Sequence, residues 1–275
     1  MKIYISADIE GISGVIDGTF TSIGAPNYER GRRLMTGEVN AAIRGIKRAG
    51  ATEILVNDSH GPMTNIIIEN LDEDVYLISG NKKLLGMMEG VDETFDAVIL
   101  IGYHGRHNTS AVLAHTYNGA AVSEIKVNGQ VVGEFEFNSL LAGYFGVPVV
   151  MVSGDNILNA QAKEFNNNVE GIEVKTAHTR YVAKNINPKK VHKLLEDGAF
   201  KVLSSNYKEN IKPSVMKGKV ELEIAFLNSG MAEATLCIPG VELIAPNRVR
   251  YVAKDMLEAY KIRGGLITLG YSTTR

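Results

Sequence analysis

Acids and imidazoles cluster where short apolar runs of this chain end. Residues 3–7 run into Asp8-Ile9-Glu10, and the i, i+2 spacing of an extended chain places both carboxylates on one face. Residues 53–56 run into Asn57-Asp58-Ser59-His60, and residues 97–103 lead directly into His104. His115 lies eleven residues further on, and Glu134 opens a helical segment behind Gly133. In an open parallel sheet, ligands bind beyond the carboxyl ends of the strands, so these separate exits deliver acid and imidazole to one edge. Oxygen and imidazole donors with no thiolate suit zinc or another first-row divalent ion.

Charge indicates how many ions such a set would hold. Two divalent ions bring +4 against the three negative charges of Asp8, Glu10 and Glu134, and a hydroxide completes neutrality. Five protein donors are too many for one tetrahedral catalytic zinc, which takes three and a water. A paired site with Asp8 between the ions is the better arithmetic. Each residue alone has an ordinary reading. An acid after a strand is usually a turn former or helix cap, and a single histidine is usually structural or solvated. Only the joint placement carries the metal reading. His107, His178 and His192 lack that context and read as surface or packing residues. Asp58 and Glu136 read either as supports for the ligands or as exposed acids. Arg30, Arg32 and Arg33 form a solvated helix face or steer anions.

The elements that must position these residues follow from periodicity. Strands are expected over 3–7, 53–56, 74–78 and 97–103, with a helix over 27–49 that stops at Gly50 and a short helix over 82–88. Asn128-Gly129 between residues 123–127 and 130–132 marks a hairpin. A helix over 133–145 and a strand over 147–152 come next. Beyond Asn166–Asn168 the expected order is strand 173–180, helix 188–204 with proline at its start, strand 220–225, helix 231–236, strand 247–252 and a helix from Asp255. The expected fold class is α/β: a three-layer α/β/α domain with a mainly parallel sheet over residues 1–168, plus a smaller α+β domain over 169–275.

Composition excludes several classes. Of 275 residues 45% are hydrophobic and 22% charged, which is globular rather than disordered. A net charge of -2 without a basic run argues against nucleic acid or an anionic membrane as partner. No apolar stretch approaches a membrane span, and Asp8 and Glu10 interrupt what would be the core of a signal peptide. One cysteine, Cys237, excludes an internal disulfide and reads as a buried thiol within a helix. The expectation is a soluble, cytoplasmic protein. There is no G-x-G-x-x-G after a strand, no P-loop, no H-E-x-x-H and no G-x-S-x-G, and Asn108-Thr109-Ser110 is a chance glycosylation pattern.

Several blocks resemble the D-aminopeptidase DppA family, also called the dipeptide transport protein family. They include Asp8-Ile9-Glu10-Gly11-Ile12-Ser13-Gly14, Asn27-Tyr28-Glu29-Arg30-Gly31-Arg32, Val56-Asn57-Asp58-Ser59-His60 and Gly102-Tyr103-His104. Gly133-Glu134, Asn138, Ala142-Gly143-Tyr144, Pro148-Val149 and the run Ala253–Tyr260 continue it; residues 185–219 match least. The resemblance implies a peptidase with two Zn2+ ions per subunit, held by Asp8, Glu10, His60, His104 and Glu134. It also implies His115 as the catalytic residue, short D-aminoacyl peptides as substrates, and a homodecameric ring. The D preference comes from the resemblance alone. Two other classes remain: a two-metal phosphoesterase, for which Arg106 and the Arg30–Arg33 cluster would bind phosphate, and a dipeptide-binding or transport-accessory protein without catalysis.

Overall fold

The computed structural model describes residues 1–274. The first half of the chain alternates strand and helix: Lys2–Ala7 (β1), Tyr28–Arg48 (α1), Glu53–Asp58 (β2), Tyr76–Ile78 (β3) and Ala97–Ile101 (β4). The hairpin Val122–Val127 (β5) and Gln130–Val132 (β6) leads into Glu134–Tyr144 (α2), Val149–Asp155 (β7) and Asn156–Phe165 (α3). Then come Glu170–Thr179 (β8), Val182–Asn185 (β9), Pro188–Ser204 (α4) and the short Tyr207–Asn210 (α5). Val220–Phe226 (β10), Ser229–Glu233 (α6), Val241–Ala245 (β11), Arg248–Ala253 (β12) and Met256–Ser272 (α7) close it.

β1 and β4 read as continuous apolar runs because both their faces are covered, and from Ile3 to Ala7 and from Ala97 to Ile101 every residue is buried. They lie at the centre of a seven-stranded sheet ordered β3-β2-β1-β4-β7-β8-β9, parallel except where β9 turns back on β8. Successive residues of β8 face opposite sides: Gly171 abuts Asn159 of α3, and Ile172 abuts Gly198 of α4. Helices thus cover both faces, the expected three layers. A second, five-stranded antiparallel sheet is ordered β11-β12-β10-β5-β6.

Sheet membership crosses the expected 168/169 division in both directions. The β5–β6 hairpin belongs to the second sheet, where Ile125 sits opposite Ile224, while β8 and β9 extend the parallel sheet beside β7. The β5–β10 pairing is long-range, and a local pattern does not specify it. α3, β9 and β11 are elements that periodicity did not bring out. The expected helix over 231–236 is α6 followed by a tighter 3-10 turn, Ala234–Cys237. That change of winding turns Cys237 outward, so the thiol is exposed rather than buried.

For the site, register matters most. Ala7 pairs with both Asp58 and Ile101, so the chain leaves β1, β2 and β4 at one level. The Asp8 amide donates to Ile101 O (2.8 Å) and the Ser59 amide to Ala7 O (2.8 Å), which holds the three exits together. Gly11 presses against the next turn, and a methyl there would fall 1.9 Å from Tyr103 O, so only glycine fits.

Candidate metal centre

The four acids and imidazoles at these exits meet Glu134 from the first turn of α2. His60 Nδ1 lies 3.3 Å from Asp8 Oδ1 and 2.9 Å from Glu10 Oε2. His104 Nε2 lies 3.6 Å from Asp8 Oδ2 and 3.3 Å from Glu134 Oε2. The two oxygens of Asp8 therefore face two different groups, Glu10 with His60 and Glu134 with His104. His115 stacks on His104 with ring centroids 4.2 Å apart, and its Nε2 is 3.8 Å from Glu134 Oε1. Asp8, Glu10, His104 and Glu134 are all at most 5% exposed.

Each imidazole is aimed by its far nitrogen. A carbonyl only accepts, so His60 Nε2 donates to Thr21 O (2.9 Å), His104 Nδ1 to Gly105 O (3.0 Å) and His115 Nδ1 to Leu113 O (2.9 Å). The nitrogen that faces the acids is then the one with a lone pair in the neutral ring. His60 Nδ1 and Glu10 Oε2 approach without hydrogen-bond alignment, and Glu10 Oε2 and His104 Nε2 are buried with no partner. Ligand atoms of Asp8, Glu10 and His104 lie within 4.8 Å of one another, as do those of His104, His115 and Glu134. Lone pairs this close, out of water, fit a cation between them.

Without a cation, protons fill the same role. Burial, reinforced by Glu10, raises Asp8 to about 7. Burial works against a charge on His104, but Glu134, Asp8 and Glu10 outweigh it and hold its pKa at about 10. Burial likewise opposes charge on His60, and Glu10 and Asp8 again reverse the sign. His115 goes the other way: burial and then the charge of His104 lower it, which keeps this ring neutral.

The surrounding residues are supports. Asp58 is fully buried and accepts from the Asn65 amide (2.5 Å), the Ile66 amide (2.7 Å) and Asn65 Nδ2 (2.7 Å), while Asn65 Nδ2 also donates to His60 O (2.7 Å). It thereby shapes the loop that carries His60. Glu136 is buried too, accepting from the Gly133 amide (2.8 Å) and from Arg106 Nη1 (3.1 Å), a capping interaction that begins α2 and so places Glu134. The Tyr117 amide donates to Glu134 Oε1 at 2.6 Å. His107, His178 and His192 join none of this. Arg32 pairs with Glu29 at 3.1 Å on the face of α1.

A family model described as D-aminopeptidase, peptidase family M55, matches residues 1–264. The chain belongs to this family. A D-aminopeptidase of Bacillus subtilis (strain 168) is 41% identical over 262 residues, which is 95% of this chain and 94% of the relative. The solved structure of a Zn-dependent D-aminopeptidase DppA from Bacillus subtilis, described as a self-compartmentalizing protease, superposes with a TM-score of 0.97 at 39% identity over the whole of both chains. The α/β architecture of this M55 member is that of the solved relative.

Two residues of this centre were not singled out by sequence reasoning. Lys175 is fully buried in β8, and its Nζ donates to the carbonyls of Glu10 (2.5 Å), Ile12 (3.0 Å) and Val15 (2.6 Å), pinning the loop after Asp8. Arg263 of α7 lines the same cavity as Asp8, His60, His115 and Glu134, which has a volume of ≈ 320 Å³. Its signal was a charge at apolar spacing: Tyr260, Arg263, Ile267 and Gly270 form one buried helix face.

Proposed function

We propose that this chain is a zinc-dependent D-aminopeptidase that cleaves the N-terminal peptide bond of short D-aminoacyl peptides. Two Zn2+ ions per subunit would be held by Asp8, Glu10, His60, His104 and Glu134, with Asp8 shared between them. The observation that carries this reading is the Asp8 carboxylate, each of whose oxygens faces its own acid–imidazole pair. When bound there, zinc polarises a carbonyl and brings water toward ionisation near neutral pH.

The protein groups have separable tasks. Glu10 and His60 form one donor group and Glu134 and His104 the other, with His60, His104 and Glu134 held by backbone hydrogen bonds before any ligand arrives. His115 is the catalytic residue. Its Nδ1–H is committed to Leu113 O, so neutral Nε2 faces the centre with a lone pair, as a proton acceptor or nucleophile; it donates to a developing oxyanion only after taking up a proton. The small cavity suits a substrate of few residues. The self-compartmentalizing relative supports a closed assembly, which we place as a homodecameric ring in the cytoplasm.

Of the cations the sequence offered for phosphate, Arg106 is engaged by Glu136 and Arg32 by Glu29, and the D-aminopeptidase family match favours a peptide over a phosphate ester. The test is metal analysis of the natively purified protein beside turnover of D-Ala-D-Ala, L-Ala-L-Ala and a phosphate ester. Zinc near two per chain with D-Ala-D-Ala cleaved fastest is expected. Equal or faster L-Ala-L-Ala cleavage overturns the D assignment, turnover of the ester selects the phosphoesterase, and dipeptide binding without cleavage or metal selects the transport accessory.

A further inference from the structure

A guanidinium that has lost its water normally gains an acid in return, because burying an unpaired charge is costly. Arg263 breaks that rule. It is 7% exposed, yet among the described residues no carboxylate lies within ion-pair distance of it. Its Nε makes one long hydrogen bond, to Tyr260 O at 3.4 Å. What holds it is aromatic: its guanidinium carbon lies 3.7 Å from the Tyr117 ring centroid and 4.3 Å from that of Tyr260. The rings pack on the guanidinium while no hydrogen bond among the described residues takes its Nη atoms, which leaves them to donate to a carboxylate in a two-pronged grip.

Arg263 lines the centre's own cavity. Gly86, Tyr117 and Asn118 line it together with Asp8, His60, His115 and Glu134. Across from the guanidinium, Gly86 has no side chain, and a methyl there would stand 3.7 Å from Nη2. Glu134, the acid of the centre that Tyr117 touches, is already engaged, one oxygen by the Tyr117 amide and the other toward His104. Tyr117 thus touches Glu134 with its backbone and Arg263 with its ring, so a single side chain links the guanidinium to the reacting centre. An extended peptide advances ~3.3–3.6 Å per residue, so one side chain's span and a cavity of ≈ 320 Å³ match a di- or tripeptide with its carboxyl end at Arg263.

Resting on the aminopeptidase reading above, we propose that Arg263 binds the terminal carboxylate of the substrate and makes the enzyme selective for very short peptides with a free C-terminus. The arginine is a specificity determinant at the far end of the substrate, and its missing counter-ion is the peptide itself.

The experiment compares D-Ala-D-Ala with D-Ala-D-Ala amide, which differ by one charge, in the zinc-loaded wild type and in Arg263→Gln and Arg263→Lys. The wild type is expected to prefer the free acid by about 10- to 100-fold in kcat/KM, the range of a charged hydrogen-bonded contact. Arg263→Gln should lose that preference through its effect on the free acid, with zinc content unchanged and the amide turned over within about threefold of wild type, while Arg263→Lys keeps part of it. Equal wild-type rates on the two substrates overturn the proposal without any variant. A variant that loses both substrates alike also overturns it, since Arg263 then serves only the fold. Cleavage of neither substrate by the wild type instead brings down the aminopeptidase reading, and this proposal with it.

Discussion

Replacing Asp58 with asparagine should weaken zinc binding although Asp58 touches no metal. The carboxylate serves three donors with two oxygens: Oδ2 accepts from the amides of Asn65 and Ile66, and Oδ1 from Asn65 Nδ2. Asparagine has one acceptor oxygen. If that oxygen keeps the two amides, its own NH2 meets Asn65 Nδ2, donor against donor, although Asn65 Nδ2 retains His60 O. The smallest loss is then one charge-assisted hydrogen bond, ~1.5–3 kcal/mol. Alanine removes all three and orphans two buried amides, at ~1–3 kcal/mol each. Because the same loop delivers His60, most of that loss should appear as metal affinity. At ~1.4 kcal/mol per decade it corresponds to about 10- to 100-fold weaker zinc for Asp58→Asn, and more for Asp58→Ala. Chelator competition measures the affinity, and urea unfolding of the metal-free protein measures the fold. Normal zinc affinity in a destabilised Asp58→Asn would refute the reasoning, because Asp58 would then hold the loop without holding the ligand.

Three further outcomes follow from the same geometry. His115→Ala should lower kcat by ~10²–10⁴ with zinc content intact, and near-normal turnover removes His115 from the mechanism. Zinc must displace the protons that His60 and His104 carry at neutral pH, so its affinity should rise with pH toward about 10, with net proton release in calorimetry across buffers; a flat profile from pH 6.5 to 8.5 contradicts this. Glu38 is buried, which lifts its pKa to about 8 despite the Ser13 amide and Lys175. An acid that binds its proton more tightly when folded makes stability fall as pH rises from its ordinary value of 4.5 to about 8. Lys175, lowered by burial to about 8, changes stability only above that. Glu38→Gln should therefore flatten metal-free stability between pH 5 and 7.5 by up to ~1.4 kcal/mol per pH unit, and an unchanged slope would show that Glu38 is already ionised in that range.

Much of the centre was legible because its residues sit at strand exits, where a one-dimensional pattern carries three-dimensional meaning. Apolar runs ending in Asp8-Ile9-Glu10, His60 and His104 mark the carboxyl edge of a parallel sheet, and the register that aligns Ala7 with Asp58 and Ile101 brings those exits level. The supports were less legible. Asp58 and Glu136 carried no local sign of whether they faced solvent or the loop, and Lys175 lies 165 residues from the Glu10 carbonyl it binds. The β5–β6 hairpin was plain in Asn128-Gly129, but its place in the second sheet depended on pairing with β10.

Local chemistry, then, determined which donors this chain has, which class of ion suits them and which elements carry them, because strand and helix periods and donor hardness are properties of neighbouring residues. Tertiary structure alone decided that the two oxygens of Asp8 point to different partners, that each imidazole turns its lone pair inward, and that Arg263 stands at the cavity without an acid. Those depend on distances between residues far apart in the chain, which no local pattern encodes.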